Sequence, residues 1–350
     1  MSVNNEMIAA VLHGREDVRI QRMPIPQPGN GEVLVRIDTA LTCGTDVKVF
    51  RRGYHAVMIR PPAVFGHEFA GTIVAIGDGV NGWNIGDRVV AANSAPCGDC
   101  YYCERSCPEL CEDLLFLNGA YAEYIVIPAR VVQKNLYSVP SSLRLSHAAL
   151  AEPLACVVRG MDALMHVNAR TAVVLGLGPI GLFFVRMLVL AGVEVIAVGR
   201  RASRLGIARE LGAAITIDID TVADPVEAVR LATPRGYGAD LVVEAVGNPT
   251  AWQQAISMAR KAGMVSLFGG CPADTSIELS THRIHYDEIS LTGTFHHTPA
   301  AFRMALDLLI SGDVPAALFI QKQCGLIDLP GVLRSLAGGD LDIVKCAVTP

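Results

Sequence analysis

No secretory signal is legible at the start of this sequence: MSVNNEMIAAVLHG has no basic start, long apolar stretch or small-residue cleavage site. A cytoplasmic location is therefore expected. Nor is there an uninterrupted apolar run of the roughly 18 residues that a membrane span needs. The most apolar region, residues 171–199, is broken by Pro179, Arg186 and Glu194 and reads as a buried strand-helix-strand. Long blocks of one charge are missing too. Lys and Arg number 29 against 34 Asp and Glu, a net charge of −5, which leaves no basic footprint for nucleic acid and points to a small-molecule partner. No internal repeat or low-complexity linker stands out. What is present is 350 residues, 51% of them hydrophobic, enough for about two domains with sizeable cores. Ten cysteines without an export signal argue for metal ligation or buried thiols over disulfides, since the cytosol keeps thiols reduced.

Up to about residue 151, short alternating apolar runs such as GEVLVRID, FAGTIVAIG, GDRVVAAN and AEYIVIP are punctuated by Gly and Pro. They predict an antiparallel, partly barrel-like β domain. From Thr171 the texture changes to near-continuous apolar strands alternating with helical patterns: TAVVLG, VEVIAVG, AAITID, ADLVVEAVG, GMVSLFGG and ISLTGTF. That is the rhythm of a doubly wound parallel sheet. Its first helix has Ile180, Phe183, Phe184, Met187, Leu188 and Ala191 at the spacing of one buried face. An amphipathic helix over AAFRMALDLLISG and a final strand in LDIVKCAVTP follow, and this end is assigned back to the first domain. The expected divisions are 1–155, 156–295 and 296–350.

VVLGLGPIG places Gly176, Gly178 and Gly181 in G-x-G-x-x-G spacing between a strand and a helix. Such glycines permit a tight turn and close backbone approach, and the helix N-terminus offers free N–H groups to a pyrophosphate. A glycine-rich turn without a ligand is the alternative. The next strand should end in an acid that holds the ribose 2′-hydroxyl. Gly199 stands there instead, followed by Arg200, Arg201 and Arg204. Guanidinium groups bind a 2′-phosphate that a carboxylate would repel, so NADP is expected over NAD, unless these arginines are simply a solvated helix start.

Cys97, Cys100, Cys103 and Cys111 form C-x2-C-x2-C-x7-C, four thiolates suited to a closed, structural zinc site. Cys107 fits several alternative quartets, and a redox sensor is the rival reading. A second set comprises Cys43 in TCGTDVK, His67 and Glu68 in VFGHEFAG, and Glu152 in LAEPLAC. One thiolate, one imidazole and a carboxylate can bind zinc with a position left open for chemistry. Adjacent His67 and Glu68 would point to opposite faces of a regular strand, so both can ligate only if the backbone is irregular, which Gly66 allows. Cys156, Cys271, Cys324 and Cys346 lie in apolar surroundings and read as packing residues.

Together these motifs resemble the zinc-dependent medium-chain alcohol dehydrogenases over essentially the whole chain. GHEFAGTIVAIGDGV follows that family's zinc signature G-H-E-x-x-G-x5-G-x2-V, and CGTD, the spaced cysteines and GLGPIG occur in the family's order. AEPLAC carries Glu152 where alcohol dehydrogenases carry a cysteine ligand, as sorbitol, polyol and threonine dehydrogenases do. PARVVQKNLYSVP with AALAEPLACVVRG looks most like the polyol and iditol branch.

The resemblance implies an α/β fold, with a GroES-like β domain, a Rossmann domain and a C-terminal return. It implies two zinc ions per chain and a dinucleotide, NADP or NAD, and puts Pro179, Ile180, Val246, Gly269 and Thr294 in the cofactor-binding set. Zinc on Cys43, His67 and one of Glu68 or Glu152 would hold the alcohol oxygen while the adjacent carbon gives a hydride to nicotinamide, and Thr45 would relay the hydroxyl proton. The other glutamate would orient a water or exchange as ligand. A secondary alcohol of a polyol, sugar or cyclitol is the expected substrate. A threonine-like amino alcohol and a non-catalytic zinc- and nucleotide-binding protein are the alternatives. A homodimer or homotetramer is implied as well. Three positions depart from the pattern. Lys48 replaces a histidine at the outer end of the proton relay or is a snorkelling surface lysine. Val49 stands where sorbitol dehydrogenases often place an aromatic. His296 and His297 replace an Arg-Tyr pair, either facing the substrate or nicotinamide pocket or sitting on an exposed loop.

Overall fold

The structure, a computed structural model, describes residues 5–55, 58–164, 166–340 and 342–350. It divides into two compact units. One comprises Met1–Ala155 with His297–Pro350, the other Cys156–His296.

The first unit is mostly antiparallel. Its strands are β1 (Glu6–Gly14), β2 (Asp17–Pro24), β3 (Val33–Leu41), β4 (Ala63–Val64), β5 (Phe69–Ile76), β6 (Arg88–Ala91), β7 (Ser94–Ala95), β8 (Leu115–Phe116), β9 (Tyr124–Ile127) and β10 (Leu136–Ser138). The second unit contributes β11 (Thr171–Leu175), β12 (Glu194–Gly199), β13 (Ile215–Asp218), β14 (Ala239–Glu244), β15 (Ala259–Leu267) and β16 (Ser290–Gly293). After these, β17 (Ile320–Gly325) and β18 (Lys345–Thr349) complete the first unit. Its main sheet runs β10-β6-β5-β3-β18-β17 with β9 also on β3, and β2-β1-β4 form a smaller sheet. β18 pairs antiparallel with β3 and parallel with β17, which lays the last residues of the chain beside Leu41 and Ala40. Val33, Val35, Ile37, Phe65, Phe69, Ile73 and Tyr121 are among the residues filling the core beneath.

The second unit is an all-parallel sheet in the order β13-β12-β11-β14-β15-β16, the arrangement of a doubly wound dinucleotide fold. β11 is buried at every position, as a strand covered on both faces must be. The helix Pro179–Leu190 follows it. It buries Leu182 and Val185 as well as the expected Phe183, Phe184 and Leu188, while Ile180 and Met187 are half-buried and Ala191 is exposed. The single stripe read from the sequence is therefore too narrow. The first two turns are apolar all round, and such a helix is buried all round. In the first unit the helix Pro299–Ser311 starts at Thr298, whose hydroxyl accepts from Ala301 N at 3.1 Å, and stops at Gly312 in the left-handed region.

Candidate active site

The motif CGTD starts a helix, Gly44–Arg52. Cys43 is its N-cap: Sγ accepts from Thr45 N at 3.4 Å, and Asp46 Oδ2 accepts from Cys43 N at 2.9 Å. The same four residues that cap the helix thus fix the thiol and a carboxylate side by side. Thr45 is half-buried, and Lys48 is exposed on the helix. Val49 is buried in the core, not at a pocket mouth.

His67 and Glu68 precede β5. Gly66 has φ +90°, and a Cβ there would lie 2.7 to 2.9 Å from ring atoms of Tyr121. The backbone is therefore irregular just where strand alternation would have separated the two side chains. Ligand atoms of Cys43, His67 and Glu68 all lie within 4.8 Å of one another. His67 Nδ1 stands 3.4 Å from Asp46 Oδ1, and Asp46 Oδ2 accepts from Tyr121 Oη at 2.6 Å. Burial pushes the His67 pKa down, but Asp46 and the Cys43 sulfur outweigh it and hold it well above its ordinary value. Burial, with Asp46 beside it, raises Tyr121 far above the phenol range, so it remains a donor.

Glu68 is fully buried and paired with an equally buried Lys345 from β18, whose Nζ lies 2.7 Å from Oε1 and also donates to Thr42 O at 3.0 Å. Burial lifts the Glu68 pKa, and the ammonium only partly opposes it. Burial would lower Lys345, yet Glu68 raises it above its ordinary value. Glu152 sits in the first turn of the helix Ala151–Asp162, buried, outside the 4.8 Å group. Desolvation, strengthened by nearby Glu68 and countered by His67 and Lys345, pushes its carboxyl up to about 7. His297 is 2% exposed, its Nε2 2.9 Å from Asn93 Oδ1 and 3.9 Å from Glu152 Oε1; it is not on an exposed loop. His296 has φ +59°, is half-buried and has its ring centroid 5.6 Å from that of Phe295.

Asp46, Tyr121, Asn93 and Lys345 received no role from the sequence. Only Lys345 left a signal, a lone cation inside the apolar tail IVKCAV. The donor set matches zinc: one soft thiolate, one imidazole with a carboxylate beside its other nitrogen, and one carboxylate.

The four-cysteine group is Cys97, Cys100, Cys103 and Cys111. Sγ–Sγ separations are 3.4 Å for Cys97–Cys111 and 3.9 Å for both Cys97–Cys103 and Cys100–Cys111. Cys107 lies apart, its Sγ against Arg105 O. N–H groups of Cys103 and Glu112 pull the Cys100 thiol down to about 6, while Asp99 holds Cys97 up to about 12. Lys134 Nζ ties the lobe down through Cys97 O at 2.6 Å. Four sulfurs at these separations suit a tetrahedral zinc with no open position.

In the second unit a cleft of about 880 Å³ is lined by Gly176, Gly178, Gly199, Arg200, Arg201, Arg204 and Val246, among others. Gly176 has φ +100°, and a Cβ on Gly181 would meet Gly176 O at 1.8 Å, so Gly181 serves the close approach of helix to strand and does not face the cleft. Pro179 and Ile180 open the helix that begins at this turn. Gly269 packs against Gly247 and Glu244, and Thr294 follows β16; neither lines the cleft. Arg200 Nε is 3.3 Å from Asp220 Oδ1, and Asp218 stands beside Gly199 in register, so the basic corner is not purely basic. Open space around Gly178, where an added Cβ would touch nothing, leaves room for a pyrophosphate against the helix N-terminus.

A β unit holding a half-buried thiol beside a buried imidazole and carboxylate, followed by a dinucleotide-type sheet, defines a metal- and nucleotide-using class. Comparison with known proteins agrees. Residues 29–140 match the family described as alcohol dehydrogenase GroES-like domain, and residues 179–311 that described as zinc-binding dehydrogenase. The chain is 36% identical to an L-threonine 3-dehydrogenase of Symbiobacterium thermophilum over 71% of both chains. It is 32% identical to a sorbitol dehydrogenase of Halalkalibacterium halodurans over 97% of both. A putative zinc-binding dehydrogenase from Sinorhizobium meliloti, solved bound to NADP, superposes with a TM-score of 0.88 at 31% identity and 99% coverage of each chain. The chain belongs to the zinc-dependent medium-chain alcohol dehydrogenase family and is an oxidoreductase. No helix among the described residues is long and apolar enough to cross a membrane.

Proposed function

We propose that this protein is an NADP-preferring dehydrogenase that oxidises a secondary alcohol of a polyol, sugar or cyclitol to the ketone. The observation that carries the reading is the convergence of a half-buried Cys43 with the buried His67 and Glu68 on one point. Cys43 Sγ, His67 Nε2 and a Glu68 oxygen would hold a catalytic zinc, and the four-cysteine lobe a structural one. Such an ion supplies Lewis-acid polarisation of the alcohol oxygen, and a nicotinamide supplies the hydride acceptor. The rest falls to the chain. Asp46 fixes the imidazole through Nδ1 and so leaves Nε2 as the ligand atom. Thr45 takes the hydroxyl proton, and Glu152 is the second carboxylate in reserve, with His297 3.9 Å from it. Arg200, Arg201 and Arg204 meet the 2′-phosphate; the NADP in the Sinorhizobium meliloti relative supports that preference.

Two zincs per chain, and reduction of NADP on a panel of sorbitol, other polyols and cyclitols, are expected. Faster turnover of L-threonine on the same panel would transfer the assignment to the amino-alcohol reading, which the 36% identical relative favours. Failure with every alcohol and both coenzymes would sink the catalytic reading of this site. We also place the protein in the cytoplasm as a homodimer or homotetramer, which fractionation and light scattering test.

A further inference from the structure

Two thiols that belong to neither zinc site face each other behind the buried one. Cys346 Sγ donates toward Cys324 Sγ at 3.5 Å, across the parallel pair β17 and β18. Cys346 is fully buried. Cys324 is half-buried and lines a surface groove of about 470 Å³ together with Lys322, Asp328 and Ser335. One sulfur is thus reachable from solvent and the other waits behind it, the arrangement of an attacking and a resolving cysteine. The hydrogen bond from Cys346 lowers the Cys324 pKa, with Lys322 assisting against burial and Asp328, and raises that of Cys346.

The surroundings give this pair leverage. Cys346 N donates to Thr42 Oγ1 at 3.0 Å, and Thr42 N donates to Cys346 O at 3.0 Å. Thr42 precedes Cys43, and Lys345, the neighbour of Cys346, holds Glu68. A disulfide needs an S–S distance of about 2.05 Å, so bonding must draw the two strands or their side chains together, and β18 carries the hydrogen bonds to Thr42, which adjoins Cys43, and to Glu68.

We propose that Cys324 and Cys346 form a peroxide-sensitive dithiol whose oxidation displaces β18 and loosens the Cys43–His67–Glu68 site. Cys324 thiolate attacks one oxygen of hydrogen peroxide, the O–O bond breaks, and the departing hydroxide takes a proton to become water. The sulfenic acid so formed is attacked by Cys346 sulfur; the S–O bond breaks and a second water leaves with the thiol proton. Two thiols are oxidised and one peroxide is reduced to two waters. The coupling to the metal rests on the zinc assignment above, whereas the disulfide does not.

The test uses the full chain loaded with cobalt(II), whose absorption distinguishes a four-thiolate site from a Cys-His-carboxylate site. After peroxide and alkylation, peptide mass mapping should find Cys324 linked to Cys346, with two hydrogens lost, and dithiothreitol should reverse it. The Cys-His-carboxylate band should change and recover in parallel, as should turnover. Cys324→Ser and Cys346→Ala should keep the untreated spectrum and lose the peroxide response. Separate alkylation of both cysteines after treatment overturns the proposal. So does a linked peptide with an unchanged cobalt band, or a reversible response that persists in Cys324→Ser. A protein that turns over no alcohol still answers through the peptide and the band.

Discussion

The two candidate metal centres are built in opposite ways. The lobe takes four identical donors from residues 97–111, three of them half-buried, and an ion held there would use every one. The buried centre takes unlike donors from a helix cap and an irregular loop, and surrounds them with Asp46, Tyr121 and Lys345. Four like thiolates close a site; mixed donors backed by a charge network hold one open. The difference teaches where the fold invests: the lobe has few buried side chains of its own between residues 97 and 112 and would lean on a metal, whereas the buried centre is prearranged by the protein.

The lobe should break first and hardest. Cys103→Ser should lose one zinc and much of the stability it supplies, on the scale of about 10 to 16 kcal/mol reported for structural zinc, with a large fall in melting temperature by calorimetry. Cys43→Ala should do the reverse. Turnover should fall about 10⁴-fold, ~5.5 kcal/mol of barrier, while zinc analysis finds the lobe's ion retained and the melting curve moves little.

Lys345→Met separates the two kinds of centre further, because it strands the Glu68 charge in the core. A loss of about 3 to 5 kcal/mol in urea unfolding is expected, and adding Glu68→Gln should recover part of it as a coupling energy. If the double variant is no more stable than Lys345→Met, the pair does not act as a unit. Tyr121→Phe removes one hydrogen bond to a buried carboxylate, about 2 kcal/mol, and should weaken zinc retention at the buried centre against a chelator without touching the lobe.

The smallest effect lies outside both centres. Asp240 accepts from Arg170 N, Thr171 N and Arg260 Nε. Burial raises its carboxyl, but Thr171, Arg260 and Arg170 together hold it below its ordinary 3.8. Its contribution, about 1 kcal/mol, is complete above that ordinary value and is lost as pH falls through the lowered one. Asp240→Asn should remove this acid-side slope while leaving both zincs in place.

Much of this was legible without a structure. Continuous apolar strands announced the parallel sheet, and C-x2-C-x2-C-x7-C announced the lobe, because both signals are local: period and spacing act over a few residues. Gly66 correctly hinted at broken strand geometry beside His67. For the helix Pro179–Leu190 the period marks one face where the fold covers more, since a period cannot tell one covered face from two. Glu68 and Glu152 were indistinguishable as ligands for the same reason: burial and charge partners are not spacing. His296 and His297 look alike in sequence, yet only His297 is sealed against Asn93 and Glu152.

By itself the sequence determined the order of β and α/β segments, the four-thiol run, and the glycines that close a dinucleotide turn, each dictated by backbone sterics and donor chemistry at short range. Tertiary structure alone decided that Lys345 would neutralise Glu68 across 277 residues, that Tyr121 would brace Asp46, and that Cys346 would meet Cys324. The first and last of these follow from β18 entering between β3 and β17: a buried charge or thiol takes its character from whatever the sheet places next to it, and that neighbour is set by topology.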